Sequence, residues 1–333
     1  MGSGFRTRGL WEDSWRRLKR SRNARFGLVI VSLVVAAAVF APWIAPHDPL
    51  SGLIEDNNLP PSWWKSTAPG GTAPEGQGPS PEPSAAPGTE ETMVTTFDQV
   101  TAETERQPHR RYLFGSDDVG RDVYSRVLFG ARYSLVIGSI SVLIGLLLGT
   151  PLGLFAGYLG GRADSIIMRS MDILMAIPYV LLAILIVAIL GPGIGNAMIA
   201  IGIVQIPQFA RVVRGSVLSV RETEYVQAAR VLGASDFRIL RLHIFRNILS
   251  PLIVQASLTF ASSILSAAAL GFLGLGAQPP SPEWGAMLAD GRKLLLSSPW
   301  ATIFPGAAIV LFVLGFNLLG DGIRDALDVR MKH

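Results

Sequence analysis

The chain has 333 residues, a formal net charge of +4 and no cysteine. Hydrophobic residues make up 49% and charged ones 16%, against about 25% charged in soluble domains. That balance excludes a soluble globular protein. The small positive excess does not imply nucleic acid, and the lack of cysteine excludes disulfides, thiol catalysis and cysteine-ligated metal sites.

Residues 1–25 form a basic tail. Eight basic residues, Arg6, Arg8, Arg16, Arg17, Lys19, Arg20, Arg22 and Arg25, face only Glu12 and Asp13, which predicts a cytoplasmic N-terminus. Residues 26–46 are free of Asp, Glu, Lys and Arg. They meet the roughly 20 apolar residues that a crossing needs, so a first span is expected near 27–46. A cleaved signal peptide is the competing reading, with Ala36-Ala37-Ala38 and Ala41 as small residues. The apolar run is too long for a signal core.

Residues 47–130 read as an external segment. Between 47 and 108, ten acids face only Lys65 and Arg106. Within it, residues 66–88 hold six prolines and five glycines and bury too little apolar surface to offset the entropy of ordering. This predicts a flexible insertion, or a contact with an external partner. Trp63 and Trp64 precede it and suit a membrane interface.

Residues 131–320 carry long uncharged runs: Tyr133–Gly161, Ile173–Ala210, Asn247–Pro282 and Leu294–Gly320. Gly191-Pro192-Gly193 splits the second. Five further spans are expected near 133–159, 168–190, 196–217, 251–276 and 299–320. Gly145, Gly149, Gly153 and Gly157 recur every four residues, with Ser141 extending the line. On a helix this makes one smooth face for close packing, against this chain or another. Pro151 predicts a kink. Span centres hold almost no ionisable groups, whereas ion-coupled carriers use intramembrane Asp, Glu, His or Arg. Asp172 and Arg169 share a helical face near a span end, as a snorkelled or paired end, a relay or a gate.

Between spans lies a loop, 218–248. The overlapping stretch Arg211–Arg246 has seven arginines against three acids, which places the loop in the cytoplasm. It reads as two short helices around a break. Ala228 and Ala229 favour the first; Gly233-Ala234-Ser235-Asp236 reads as a C-cap followed by a new N-cap. The second starts near Phe237. The result is a compact knob, or a plain surface loop. Residues 321–333 form a second cytoplasmic tail, since six spans return the chain to its starting side. No G-x-x-x-x-G-K-[ST] phosphate loop occurs, His47, His109, His243 and His333 lack metal-ligand spacing, and no Gly-x-Ser-x-Gly elbow appears.

Several segments resemble a known family. Tyr225-Val226-Gln227-Ala228-Ala229 with Leu232-Gly233-Ala234-Ser235-Asp236 is similar to the coupling loop of bacterial binding-protein-dependent ABC importer permeases. Gln227 replaces the usual acid, and Phe245-Arg246 stands where Leu-Pro is usual. Phe114–Arg126, Leu270–Pro280, Glu283-Trp284-Gly285 and Asn317–Asp328 resemble segments of the "C"-type subunits of the dipeptide and oligopeptide permeases, a family that also includes nickel permeases. The likeness covers nearly all the chain except 66–108. Taken alone, Ser116–Arg126 reads as a capped amphipathic helix and 271–282 as a turn; a re-entrant element at 277–298 is also expected.

The resemblance implies an all-α integral membrane protein with six transmembrane helices, the type I ABC importer permease fold, in the bacterial inner membrane. It implies a second homologous permease, two ATP-binding subunits that bind ATP and magnesium, and an external substrate-binding protein. The chain itself would be non-catalytic and cofactor-free. Gln227, Ala228, Ala229, Gly233, Ala234, Ser235 and Asp236 would contact an ATPase, with Ala229 and Gly233 acting through their small size. Short peptides are the expected cargo, with nickel complexes or oligosaccharides as alternatives. A stand-alone secondary carrier and a membrane enzyme are the readings from other classes.

Overall fold

The computed structural model describes residues 21–64 and 111–328. Most of the basic tail, the low-complexity insertion and the last five residues lie outside that range. The described chain is helical, with a single isolated β-bridge between Ser116 and Asp122.

Helix α1 spans Arg22–Ile44, and the Ser21 hydroxyl caps it by accepting from the Ala24 N–H at 3.4 Å. Helix α2, Val123–Leu159, continues through Pro151. Its 37 residues extend about 55 Å, well beyond a hydrocarbon core of about 30 Å. Helix α3, Gly161–Ala176, and α4, Tyr179–Leu190, follow. Helix α5 is Ile194–Arg221 and α6 is Glu224–Val231. One turn at Asp236–Arg238 and six residues of π-helix, Ile239–Ile244, lead into α7, Phe245–Phe272. The short α8, Trp284–Gly291, and the long α9, Trp300–Asp328, complete the order.

Five of these stretches are long and apolar enough to span a membrane, or up to six if the bent pair α3–α4 is counted as one span. The stretch expected as a span near 168–190 is not one straight helix but falls on two helices meeting at 89°. Pro178 causes the break: it lacks an N–H and pushes the preceding residue out of the helical region, and Ile177 is extended at φ −91°, ψ 130°. The alternative of a capped helix over Ser116–Arg126 is met only from Val123 onward. Ser116–Asp122 is a tight loop, and the Asp122 carboxylate caps α2 by accepting from the Tyr124 and Ser125 N–H groups. The element expected at 277–298 takes the form of α8, whose first four residues are buried.

The contacts between helices set directions. Gly145, Gly149, Gly153 and Gly157 of α2 meet, in rising order, residues 205 to 217 of α5, so these two helices run parallel. A parallel pair needs a return path, which α3 and α4 supply. Gly27 of α1 lies against Leu319 of α9, and Gly322 against Ala24, so α1 and α9 are antiparallel. The chain thus has two ends. One holds a collar made by residues 45–64, 111–122 and α8. The other holds α6, the start of α1 and the finish of α9. Phe312, Trp284 and Ile264 centre one core cluster, and Phe209, Val213, Val217 and Ile248 another beneath α6.

Candidate functional site

The knob is built by capping. After α6 the chain turns at Gly233, whose φ is +80°. The Ala234 N–H donates to the Ala229 carbonyl and the Gly233 N–H to the Arg230 carbonyl, both at 3.0 Å. This six-to-one and five-to-two pair is the Schellman closure that a left-handed residue permits. A Cβ on Gly233 would meet nothing within 4 Å. Within this chain, backbone conformation rather than space is what requires glycine there.

Three contacts fix the knob to the helical body. Val226 is fully buried beside Val217, Ile239, Ile244 and Ile248. In a π segment residues five apart share a face, which turns both Ile239 and Ile244 inward. The Tyr158 hydroxyl at the end of α2 donates to Asp236 Oδ1 at 2.5 Å, and the Arg230 guanidinium lies 5.9 Å from the centre of the Tyr158 ring. Asn247 Nδ2 donates to the Tyr225 hydroxyl at 3.0 Å and to the His243 carbonyl.

The predicted coupling residues lie together on this knob. Gln227 and Ala228 are exposed, Ala229 is half-buried and Gly233 exposed; Ala234 tucks toward the core, and Ser235 and Asp236 are exposed. Gln227 Nε2 donates to the Glu222 carbonyl at 3.2 Å, a bond that an acid in its place could not donate. Sequence reasoning missed the largest feature. Val231, Leu232 and Phe237 are 87%, 86% and 70% exposed, an apolar tip on a charged loop. The signal was available: Val226 faces inward, and a residue five positions on points roughly away from it, so Val231 could not share its burial. Tyr158, which anchors Asp236, was also missed.

The glycine ladder lies inside this chain. A Cβ on Gly149 would sit 2.6 Å from the Ile206 carbonyl oxygen and from Phe209 Cβ, and one on Gly157 would sit 2.8 Å from Val217 Cβ. The Ser141 hydroxyl continues the line by donating to the Met198 carbonyl at 3.2 Å. The ladder thus brings α5, which leads directly into the knob, against α2. Asp172 pairs with Arg211 of α5 at 2.6 Å, and both oxygens of Asp164 accept from Nε and Nη2 of Arg214. Both ion pairs tie α3 to α5.

Residues 149–333 match the family described as binding-protein-dependent transport system inner membrane component, and residues 9–61 match the N-terminal transmembrane domain of oligopeptide transport permease C. The chain belongs to this binding-protein-dependent permease family and is a multi-pass inner-membrane transport component. It is 44% identical over 322 residues to a dipeptide transport system permease protein of Alkalihalophilus pseudofirmus, covering 97% of this chain and 90% of that one. It is 45% identical over 311 residues to a probable D,D-dipeptide transport system permease of Escherichia coli, covering 93% and 89%. A glutathione transport system permease of Pectobacterium atrosepticum is 41% identical over 322 residues, covering 97% and 92%. Among solved structures, an inward-facing methionine ABC transporter aligns over 60% of this chain and 96% of its own at a TM-score of 0.51 and 20% identity. That likeness supports the ABC importer permease fold.

Proposed function

We propose that this permease passes short peptides, released by an external binding protein, through a pathway it shares with a second homologous permease. Two ATPase subunits, binding ATP and magnesium, drive the cycle, and this chain hydrolyses nothing. Relatives whose names specify dipeptides support the cargo. The basic loop and basic N-terminal tail support a cytoplasmic knob, with the collar outside. The observation that carries the reading is the exposed apolar tip, Val231, Leu232 and Phe237, held on a knob with a buried root. Exposed apolar groups on a rigid mount mark a protein contact, and the partner is an ATPase subunit. Gln227, Ala228, Ala229, Gly233, Ala234, Ser235 and Asp236 frame that contact, the small residues allowing close approach.

The test is Gly233→Val in the assembled importer. A β-branched residue at positive φ strains the closure by about 1–2 kcal/mol and misplaces the tip. Dipeptide uptake should fall about tenfold or more, the loss expected when a contact weakens by ~1.4 kcal/mol. The variant permease should still insert and pair with its partner permease while retaining less ATPase on purification. Normal uptake with full ATPase retention would overturn the coupling role.

A further inference from the structure

A cavity of about 150 Å³ lies between α4, α5 and α7. Its wall takes Tyr179 from α4, Gln205 and Gln208 from α5, and Ser262 and Ser266 from α7. The spacings of three and four place each set on one helical face. No lining group carries a charge at neutral pH, and these polar side chains share the wall with Ala183, Ile201 and Val204.

The hydrogen bonds in this wall have a common direction. Ser262 donates to the Thr259 carbonyl at 2.9 Å, Ser263 to the same carbonyl at 2.7 Å, and Ser266 to the Ser262 carbonyl at 2.8 Å. Each hydroxyl proton is thus committed to its own helix, which leaves the oxygens as acceptors. Gln205 Nε2 donates to Ser263 Oγ at 2.6 Å. With the Ser263 proton on the Thr259 carbonyl, the amide presents its nitrogen to Ser263. Gln205 Oε1 is then buried with no donor in reach, and Gln205 is 7% exposed. A buried carbonyl without a donor is costly. The glycine ladder holds its stem: a Cβ on Gly145 would sit 3.1 Å from Gln205 Cβ.

We infer that this wall is the cargo-facing lining of the translocation pathway, a neutral row of polar groups from Gln205, Gln208, Ser262 and Ser266 that receives the N–H groups of a peptide in transit. The assignment rests on the peptide-import reading above. Uncharged acceptors suit a pathway: they replace water around amide and amine donors without binding the cargo too tightly to release it.

The lack of native cysteine gives a direct test. Gln208→Cys, Ser262→Cys and Ser266→Cys are introduced singly, and the whole importer, with its binding protein and ATPases, is placed in proteoliposomes. A small polar methanethiosulfonate is applied, and labelling is read on this chain. Labelling of all three during ATP turnover, slowed about fivefold by saturating glycyl-alanine, is expected. In parallel, Gln205→Leu should lower initial glycyl-alanine uptake about fivefold to tenfold, the scale of one lost hydrogen bond. It should leave assembly and binding-protein-stimulated ATP hydrolysis intact, which a merely structural role would not. If wild-type vesicles take up glycyl-alanine while the thiols stay unlabelled or insensitive to cargo, the lining assignment falls alone. The same holds if Gln205→Leu, fully assembled, transports normally. If wild-type vesicles take up no dipeptide, the peptide reading falls and takes the assignment of N–H cargo with it.

Discussion

Glu283 is 3% exposed, and its carboxylate caps α8 by accepting from the Gly285 N–H at 2.9 Å and the Ala286 N–H at 2.8 Å. Burial pushes the carboxyl above its ordinary value of 4.5, and the two backbone donors offset this only in part. The folded protein therefore holds this proton at pH values where the unfolded chain has released it. Stability conferred at this position is full below pH 4.5 and declines as pH rises toward the shifted value. Gln keeps one acceptor and has no proton to lose. The melting temperature of Glu283→Gln relative to wild type should thus rise with pH across that window, by about 2 °C for each kcal/mol of burial penalty removed. Tryptophan fluorescence melts across a pH series measure it, and a pH-independent difference would refute the assignment. Residue-scale roles of this kind were partly legible. Glu283-Trp284-Gly285 stood out as a motif, but its cause did not. Gly285 is tight because a Cβ there would clash with the Ala268 backbone, and the Trp284 indole donates to the Val127 carbonyl at 3.0 Å. Both contacts join segments far apart in sequence.

Elements were easier to read where one physical signal dominates. Hydropathy marks α1, α2, α5, α7 and α9 because their surface must face lipid or other apolar helices. It gave no sign of the bend between α3 and α4 because a window of apolar residues is blind to Pro178, whose effect is geometric. It also gave no sign of the π segment before α7, which serves the burial of Ile239 and Ile244. The period of four in the glycines was visible, but the sequence could not say which helix fills the groove. The structure assigns it to α5, and this has a consequence for stability. Gly149→Leu would drive a side chain into the Ile206 carbonyl and the stem of Phe209. Overpacking of this kind costs about 1–3 kcal/mol or more, and here the obstacle is partly backbone. The yield of folded permease and its melting temperature should both drop. Gly215 lies on the same α5, and a Cβ added there would meet nothing within 4 Å, so Gly215→Ala should be neutral or stabilise by up to about 1 kcal/mol. Equal losses for the two would mean that the ladder is not the contact.

At the scale of the whole molecule, the collar and the knob are joined by helices that run between them, so the collar's rigidity matters to how the spans move. Arg126, near the start of α2, is its central tie. It is 2% exposed, and its Nη1 donates to the Pro49 carbonyl at 3.0 Å and the Pro280 carbonyl at 3.2 Å, while its Nε lies 3.7 Å from Asp117. One side chain thus links the segment after α1, the start of α2 and the loop before α8. Asp117 in turn holds Arg121 at 2.7 Å, and Arg121 approaches Asp290 of α8 at 3.9 Å. Removing one member of a buried charged network leaves others unpaired, at about 3–5 kcal/mol. Arg126→Ala should therefore lower the melting temperature more than any exposed arginine substitution, such as Arg238→Ala on the knob. Arg126→Lys should recover only part of the loss, because an ammonium cannot span two carbonyls and a carboxylate in the planar geometry of a guanidinium. Melting curves of the three variants decide it. If Arg126→Ala melts with the wild type, the collar is held by its backbone turns and caps, and the charges are secondary.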